Sequence, residues 1–134
     1  FGNTDVKQIM TPRVKSIFIE ISTPFKEVIE IIRKTHFSRI PIFEDSIDKV
    51  KGVLYAKDLL LHLDKESMNW EPLMREPFFV PENKKIDDLL TEFQERKTHI
   101  ALVVDEYGGV SGLVTLEDII EEIVGDISDE FDDE

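Results

Sequence analysis

The residues in this sequence best suited to chemistry are Thr115 and Asp118, a hydroxyl and a carboxylate three positions apart, opening the apolar-periodic segment Leu116–Val124. At a helix start this spacing forms a capping box, in which the hydroxyl accepts from the N3 amide and the acid supports the cap in return. The same geometry suits a ligand. A helix N-terminus presents unpaired N–H groups and a positive dipole end to a phosphate. A hydroxyl there can donate to phosphate or ribose, and a carboxylate can accept from both ribose hydroxyls. Spacing alone leaves both readings open. Earlier in the chain, Tyr55-x-x-Asp58 has the same spacing with a bulky ring in place of the small hydroxyl. Tyr cannot make the short cap bond, and its ring takes space a phosphate would need. Asp58 therefore reads as a local helix-start residue, and any pocket built on it as degenerate or specialised.

Other chemistries find no support. The chain lacks cysteine, which excludes disulfides, Cys-ligated zinc, iron–sulfur clusters and thiol catalysis. His36, His62 and His99 form no i, i+4 pair, so a zinc site is not expected. There is no Gly-x-x-x-x-Gly-Lys phosphate loop, nothing places a Ser-His-Asp set together, and Asp87-Asp88 and Glu121-Glu122 read as helix surface. Of 134 residues, 41% are hydrophobic and 34% charged, an ordinary globular composition. No apolar run is long enough to span a bilayer. The net charge of −13 is concentrated beyond Leu116, where ten acidic residues meet no Lys or Arg. Without them the body is nearly balanced, and no basic face offers itself to nucleic acid. The start Phe1-Gly2-Asn3 resembles no signal peptide and reads as a segment of a longer protein.

The elements that must position these residues occur twice. With the numbering shifted by 60, Ser38–Phe43 lies over Thr98–Val103, and Gly52–Leu59 lies over Gly112–Ile119. One residue of adjustment brings Phe25, Val28, Ile29 and Ile32 over Ile86, Leu89, Leu90 and Phe93, each set one apolar helical stripe. The openings Ile9-Met10-Thr11-Pro12 and Leu73-Met74-Arg75-Glu76-Pro77 also echo. Each copy reads as strand, helix, two hairpin strands and a closing helix. The expected strands are Ile17–Ile19, Ile40–Phe43 and Val50–Tyr55 in the first copy, and Phe78–Val80, Ile100–Val104 and Val110–Val114 in the second. The expected helices are Pro24–Lys34, Ala56–Leu63, Lys85–Lys97 and Leu116–Val124. Thr23 is a candidate cap, Pro24 suits the first helical position, and Gly125 suits a left-handed C-terminal cap. Trp70 is expected to pack the linker between copies. The reading is an α+β fold of two β-α-β-β-α repeats, 6–64 and 65–125, packed with pseudo-twofold symmetry into one globule, and an acidic linker or tail at 126–134. Neither copy has core enough to stand alone, and clefts where repeats meet are candidate ligand sites.

The order Met-Thr-Pro, Ser-Arg-Ile-Pro, Gly-Val-Leu-Tyr-Ala-Lys-Asp-Leu and Val-Val-Asp-Glu-Tyr-Gly-Gly-Val-Ser-Gly-Leu-Val-Thr-Leu-Glu-Asp-Ile resembles a tandem CBS-domain pair, a Bateman module. More narrowly, it resembles the pair of the CorC/hemolysin-C-like magnesium and cobalt transport family, from about Val6 to Asp126. The resemblance implies an adenine-nucleotide site on Thr11 of Met10-Thr11-Pro12, on Ser38, Arg39, Ile40 and Pro41, and on Thr115 with Asp118. Arg39 would meet the phosphates, its repeat counterpart His99 being the poorer cation; a surface ion pair is its alternative role. Met10-Thr11-Pro12 together with Ile40, Pro41 and Leu113 would line an apolar slot for adenine; core packing is the alternative role of Met10, Ile40 and Leu113, and the two roles are compatible. The implied function is regulatory and non-catalytic: AMP or ATP binding, with or without Mg²⁺ on the phosphates. The resemblance also implies a homodimer on the cytoplasmic face of a membrane protein with flanking transmembrane and C-terminal domains. The alternative is a dimerisation module whose clefts bind nothing.

Overall fold

The computed structural model describes residues 3–132. In chain order the elements are α1 (Val6–Ile9), β1 (Thr11–Pro12), β2 (Ile19–Glu20), α2 (Phe25–Thr35), β3 (Arg39–Glu44) and β4 (Ser46–Tyr55). There follow β5 (Phe79–Pro81), α3 (Ile86–Arg96), β6 (Ile100–Val104), β7 (Val110–Thr115) and α4 (Leu116–Asp132), with short 3-10 helices at Arg13–Lys15, Ala56–His62 and Glu71–Leu73. Strands and helices alternate as the duplication requires, and the α+β class is as expected. Contacts divide the chain into two units, one of residues 17–77 and one of residues 1–16 with 78–134.

In the unit 17–77, β2 runs parallel to β3, and β3 pairs antiparallel with β4. The hairpin closes at Asp45, whose φ of 69° lies in the left-handed region, so β4 starts at Ser46 rather than Val50. Phe25 and Val28 of α2 pack on Ile19, Ile40, Ile42 and Leu54 of this sheet. Trp70 joins them, buried, with its indole N–H donating to the Thr23 carbonyl at 2.9 Å. Thr23 does not cap α2. Pro24 takes the cap position with extended backbone, and the helix starts one residue later. The closing segment Ala56–His62 is a 3-10 helix. Of its three consecutive leucines only Leu59 is buried, while Leu60 and Leu61 face outward, so one side chain per turn anchors it.

The other unit is a four-stranded sheet in the order β1-β7-β6-β5, with β5 parallel to β6 and the remaining pairs antiparallel. Its core gathers Val6, Phe78, Val80, Ile86, Leu89, Phe93, Val103, Val114 and Ile119. The Phe78 and Phe93 rings meet edge to face at 6.1 Å. Both α2 and α3 end on a non-glycine residue in the left-handed region, His36 and Lys97, a matched pair of caps with no glycine to announce them. Gly125 is not a cap. Leu116, Ile119, Ile123 and Ile127 sustain the apolar period, and α4 runs through Gly125 to Asp132. The segment 126–134 expected as a tail is therefore helical as far as 132, and Asp133 and Glu134 lie outside the described residues.

The packing units differ from the units of duplication. Residues 6–16 open the first repeat in sequence yet belong with the second hairpin, where Thr11 lies opposite Leu113 and Pro12 opposite Gly112. Within 17–77, Arg75 pairs in the same way with Val53, each N–H donating to the other carbonyl at 2.9 Å. Leu113 and Val53 are repeat equivalents, so Thr11 and Arg75 occupy equivalent positions beside their hairpins.

Candidate functional site

Thr115 ends β7 and Asp118 lies in the first turn of α4. The Thr115 N–H donates to Asp118 Oδ2 at 2.9 Å, and the Asp118 N–H donates to Thr115 Oγ1 at 3.2 Å. The capping box is formed, which is what the spacing taken alone requires. Thr115 Oγ1 acts there as acceptor, which leaves its own proton for another partner. Both residues are half-buried, and among the described residues Asp118 makes no ion pair. The turn is anchored below by the Leu116 N–H, which donates to the His99 carbonyl at 2.9 Å.

Beside this turn runs β1. Met10 and Thr11 are half-buried, Pro12 is exposed, and Leu113 faces Thr11 across the strand pair. Gly112 permits the approach. A Cβ there would overlap the Thr11 carbonyl oxygen and stand 3.1 Å from Met10 Sδ and from Pro12 Cα. Two residues not expected from the sequence hold β1 in place. Arg13 Nη1 donates to the Val110 carbonyl at 3.0 Å, and Ser16 Oγ donates to the Pro12 carbonyl at 2.9 Å. Met10, Thr11, Pro12, Leu113, Thr115 and Asp118 thus share one unit. The signal for the two anchors was weak, a lone Arg and a lone Ser in a short polar turn.

Ser38, Arg39, Ile40 and Pro41 belong to the unit 17–77. Ser38 is exposed, Arg39 half-buried, and Ile40 and Pro41 buried, with Ile40 in the core cluster, so the packing role read for Ile40 is realised.

The equivalent turn in 17–77 is built differently. Arg75 Nε and Nη2 reach the two Asp58 carboxylate oxygens at 2.9 and 3.0 Å, and the guanidinium carbon lies 4.0 Å from the Tyr55 ring centroid. Both are strong arrangements for a planar cation. The Arg75 hydrogen bond holds the Asp58 carboxyl below the usual aspartate range, and the same contact raises Arg75. Asp58 is thus a local structural acid, and its partner is the residue equivalent to Thr11. The aligned openings Met10-Thr11 and Met74-Arg75 showed that equivalence, though not the contact with Asp58.

One further depression, of about 380 Å³, is lined by Pro81, Glu82, Asn83, Val104, Asp105 and Glu106. Two of its three acids are engaged: Ser111 Oγ donates to Glu82, and the Tyr107 and Gly109 amides donate to Asp105 at 2.9 Å. Among the described residues no group of three or more His, Asp or Glu could hold a metal ion, and no helix is long and apolar enough to cross a membrane.

Comparison with known proteins places this arrangement. The family model described as CBS domain matches twice, at residues 6–65 and 70–125. The chain is 47% identical over 131 residues to the magnesium and cobalt efflux protein CorC of Vibrio cholerae, covering 96% of this chain and 45% of that protein. It is 43% identical over 129 residues to hemolysin C of Brachyspira hyodysenteriae, covering 96% of this chain and 48% of that protein. The chain therefore spans about half the length of these relatives. Among solved structures, the CBS domain of a bacterial CNNM/CorC family Mg²⁺ transporter in complex with ATP has a TM-score of 0.87 at 45% identity, over 92% of this chain and 89% of that one. A CBS-domain pair with bound AMP from Klebsiella pneumoniae has a TM-score of 0.79 at 35% identity, over 90% of this chain and 98% of that one. Two repeats in order agree with these matches: the chain belongs to the CBS-domain family, as a tandem pair of the CorC/hemolysin C type.

Proposed function

We propose that this chain is a regulatory, non-catalytic module that binds an adenine nucleotide, AMP or ATP, within a membrane-associated protein of divalent-cation transport. The observation that carries the reading is the contrast between two equivalent turns. At one, Asp118 has no ion-pair partner among the described residues and Thr11 runs alongside; at the other, Asp58 is held by Arg75. Thr115 and the α4 N-terminus would serve phosphate, and Asp118 the ribose hydroxyls. By family resemblance, Ser38, Arg39, Ile40 and Pro41 are further proposed nucleotide contacts, with Mg²⁺ accompanying ATP on its phosphates. The ATP and AMP complexes of the two solved relatives support this choice of ligand.

The regulatory step is a population shift: the nucleotide stabilises one arrangement of the module, and flanking domains of the parent protein read it. The module works on the cytoplasmic face, as a homodimer. The exposed stripe Ile120, Val124 and Ile127 on α4 supports self-association. The formed capping box favours one competing reading, a dimerisation module that binds nothing, because the box is satisfied without a ligand.

Titration calorimetry with AMP and ATP, with and without Mg²⁺, separates the two. The expected result is saturable binding that Thr115→Val and Asp118→Ala each weaken at least tenfold and Asp58→Ala leaves nearly unchanged. Absence of binding in the unaltered chain, with a dimer in sedimentation, would establish the competing reading. Equal loss from Asp58→Ala would overturn the choice of turn.

A further inference from the structure

The triad Tyr55, Asp58 and Arg75 satisfies itself in the way a nucleoside would satisfy it. Arg75 offers two N–H donors to two carboxylate oxygens, the same demand a ribose diol makes, and lays a planar π system on an aromatic face. We infer that Arg75 is a specificity-determining residue: its side chain closes the first repeat to nucleotide and limits the molecule to one nucleotide per chain. This rests on the nucleotide-binding reading above and adds what that reading lacks, a physical cause for the inequality of the two repeats.

The location of the pair makes the closure local. The side chains of Arg75 and Asp58 are 42% and 27% exposed, so the contact is made at the surface of the unit rather than in its core. The backbone of Arg75 is held separately, through the paired hydrogen bonds with Val53. Removing the guanidinium therefore releases both Asp58 oxygens and takes away the nearest of three cations on the Tyr55 ring, Arg39 and Lys57 lying farther off at 6.0 and 5.9 Å, while the chain stays in register. The residue at the equivalent position of the other unit is Thr11, too short to reach a carboxylate in this manner, which leaves Asp118 to a ligand. Tyr55 in place of a threonine completes the difference by removing the small hydroxyl that Thr115 supplies.

The test is the stoichiometry of ATP and AMP binding by titration calorimetry in Arg75→Thr, and in Tyr55→Thr/Arg75→Thr, which gives the first repeat the residues of the second. Thermal unfolding verifies that each variant is folded, and the single variant keeps the buried Tyr55 should the double fail to fold. The unaltered chain is expected to bind one nucleotide and the opened variants two. Adding Thr115→Val to an opened variant is expected to leave one. One nucleotide in both the unaltered chain and the opened variants would overturn the inference and leave the proposed function intact. No binding in the unaltered chain but one nucleotide in the opened variants would do the reverse. No binding in either would overturn both.

Discussion

Replacing Gly112 by alanine tests how β1 is seated. The glycine is not in the left-handed region, so alanine is allowed by the backbone, and in open space the change would stabilise by about 0.4–1 kcal/mol through the unfolded chain. Here the space is taken. The new methyl would overlap the Thr11 carbonyl and meet Met10 Sδ and Pro12 Cα at 3.1 Å. Two of these three atoms are backbone, so rotamer change cannot relieve them and β1 must move. Overpacking of this kind costs about 1–3 kcal/mol, and losing the Arg13 and Ser16 hydrogen bonds adds about 1 kcal/mol each. A net loss of about 2–4 kcal/mol lowers Tm by roughly 10 °C for a chain of this size. Gly52→Ala is the control. Its methyl would stand 3.0 Å from the Arg75 carbonyl and from Met74 Cβ, and 3.3 Å from Met74 Sδ, tight contacts that a few tenths of an ångström relieve, so the expected loss is smaller. Differential scanning calorimetry reads both, and titration calorimetry reads their nucleotide affinity. Gly112→Ala should weaken binding about tenfold or more, and Gly52→Ala should not. A Gly112→Ala protein as stable as its parent, or a Gly52→Ala protein that suffers more, would refute the seating of β1 described above.

Other expected outcomes follow from single contacts. Asp58 is held below its ordinary range by Arg75, so the pair contributes stability above the unfolded aspartate pKa, and that stability is lost as pH falls through the lower folded value. Exposed as it is, the pair is worth about 1 kcal/mol or less. The stability gap between the unaltered chain and Arg75→Ala should therefore narrow as pH falls below about 4, leaving the share of the Tyr55 contact, and a gap unchanged down to pH 2 would contradict this. Trp70→Phe keeps most of the ring but removes the hydrogen bond to the Thr23 carbonyl, and should cost about 1–3 kcal/mol by urea unfolding. No measurable change there would mean that the indole contact does not hold the linker.

Duplication made most of the fold legible in advance. A pattern that occurs twice supplies its own control, so the apolar stripes of α2 and α3 and the strands around Ile40 and Ile100 stood out from the sequence. What escaped were features set by distant partners. Residues 6–16 read as the start of the first repeat, but β1 finds its hydrogen bonds on β7, about a hundred residues away, and no local pattern announces such a pairing. Gly125 looked like a helix end because glycine favours the left-handed cap, yet the apolar period through Ile127 outweighed that propensity. The Thr115–Asp118 box was visible because it is local, three residues closing on themselves. The Asp58–Arg75 pair was not, because its partners lie 17 residues apart and meet through the fold.

The most direct measurement is an amide chemical-shift titration of the isotopically labelled chain with ATP. Saturable shifts are expected to centre on Thr11, Ser38, Arg39, Thr115, Leu116 and Asp118, with the amides of Asp58 and Arg75 little affected. Shifts centred on Asp58 and Arg75, or none at all at millimolar nucleotide, would contradict the proposed site.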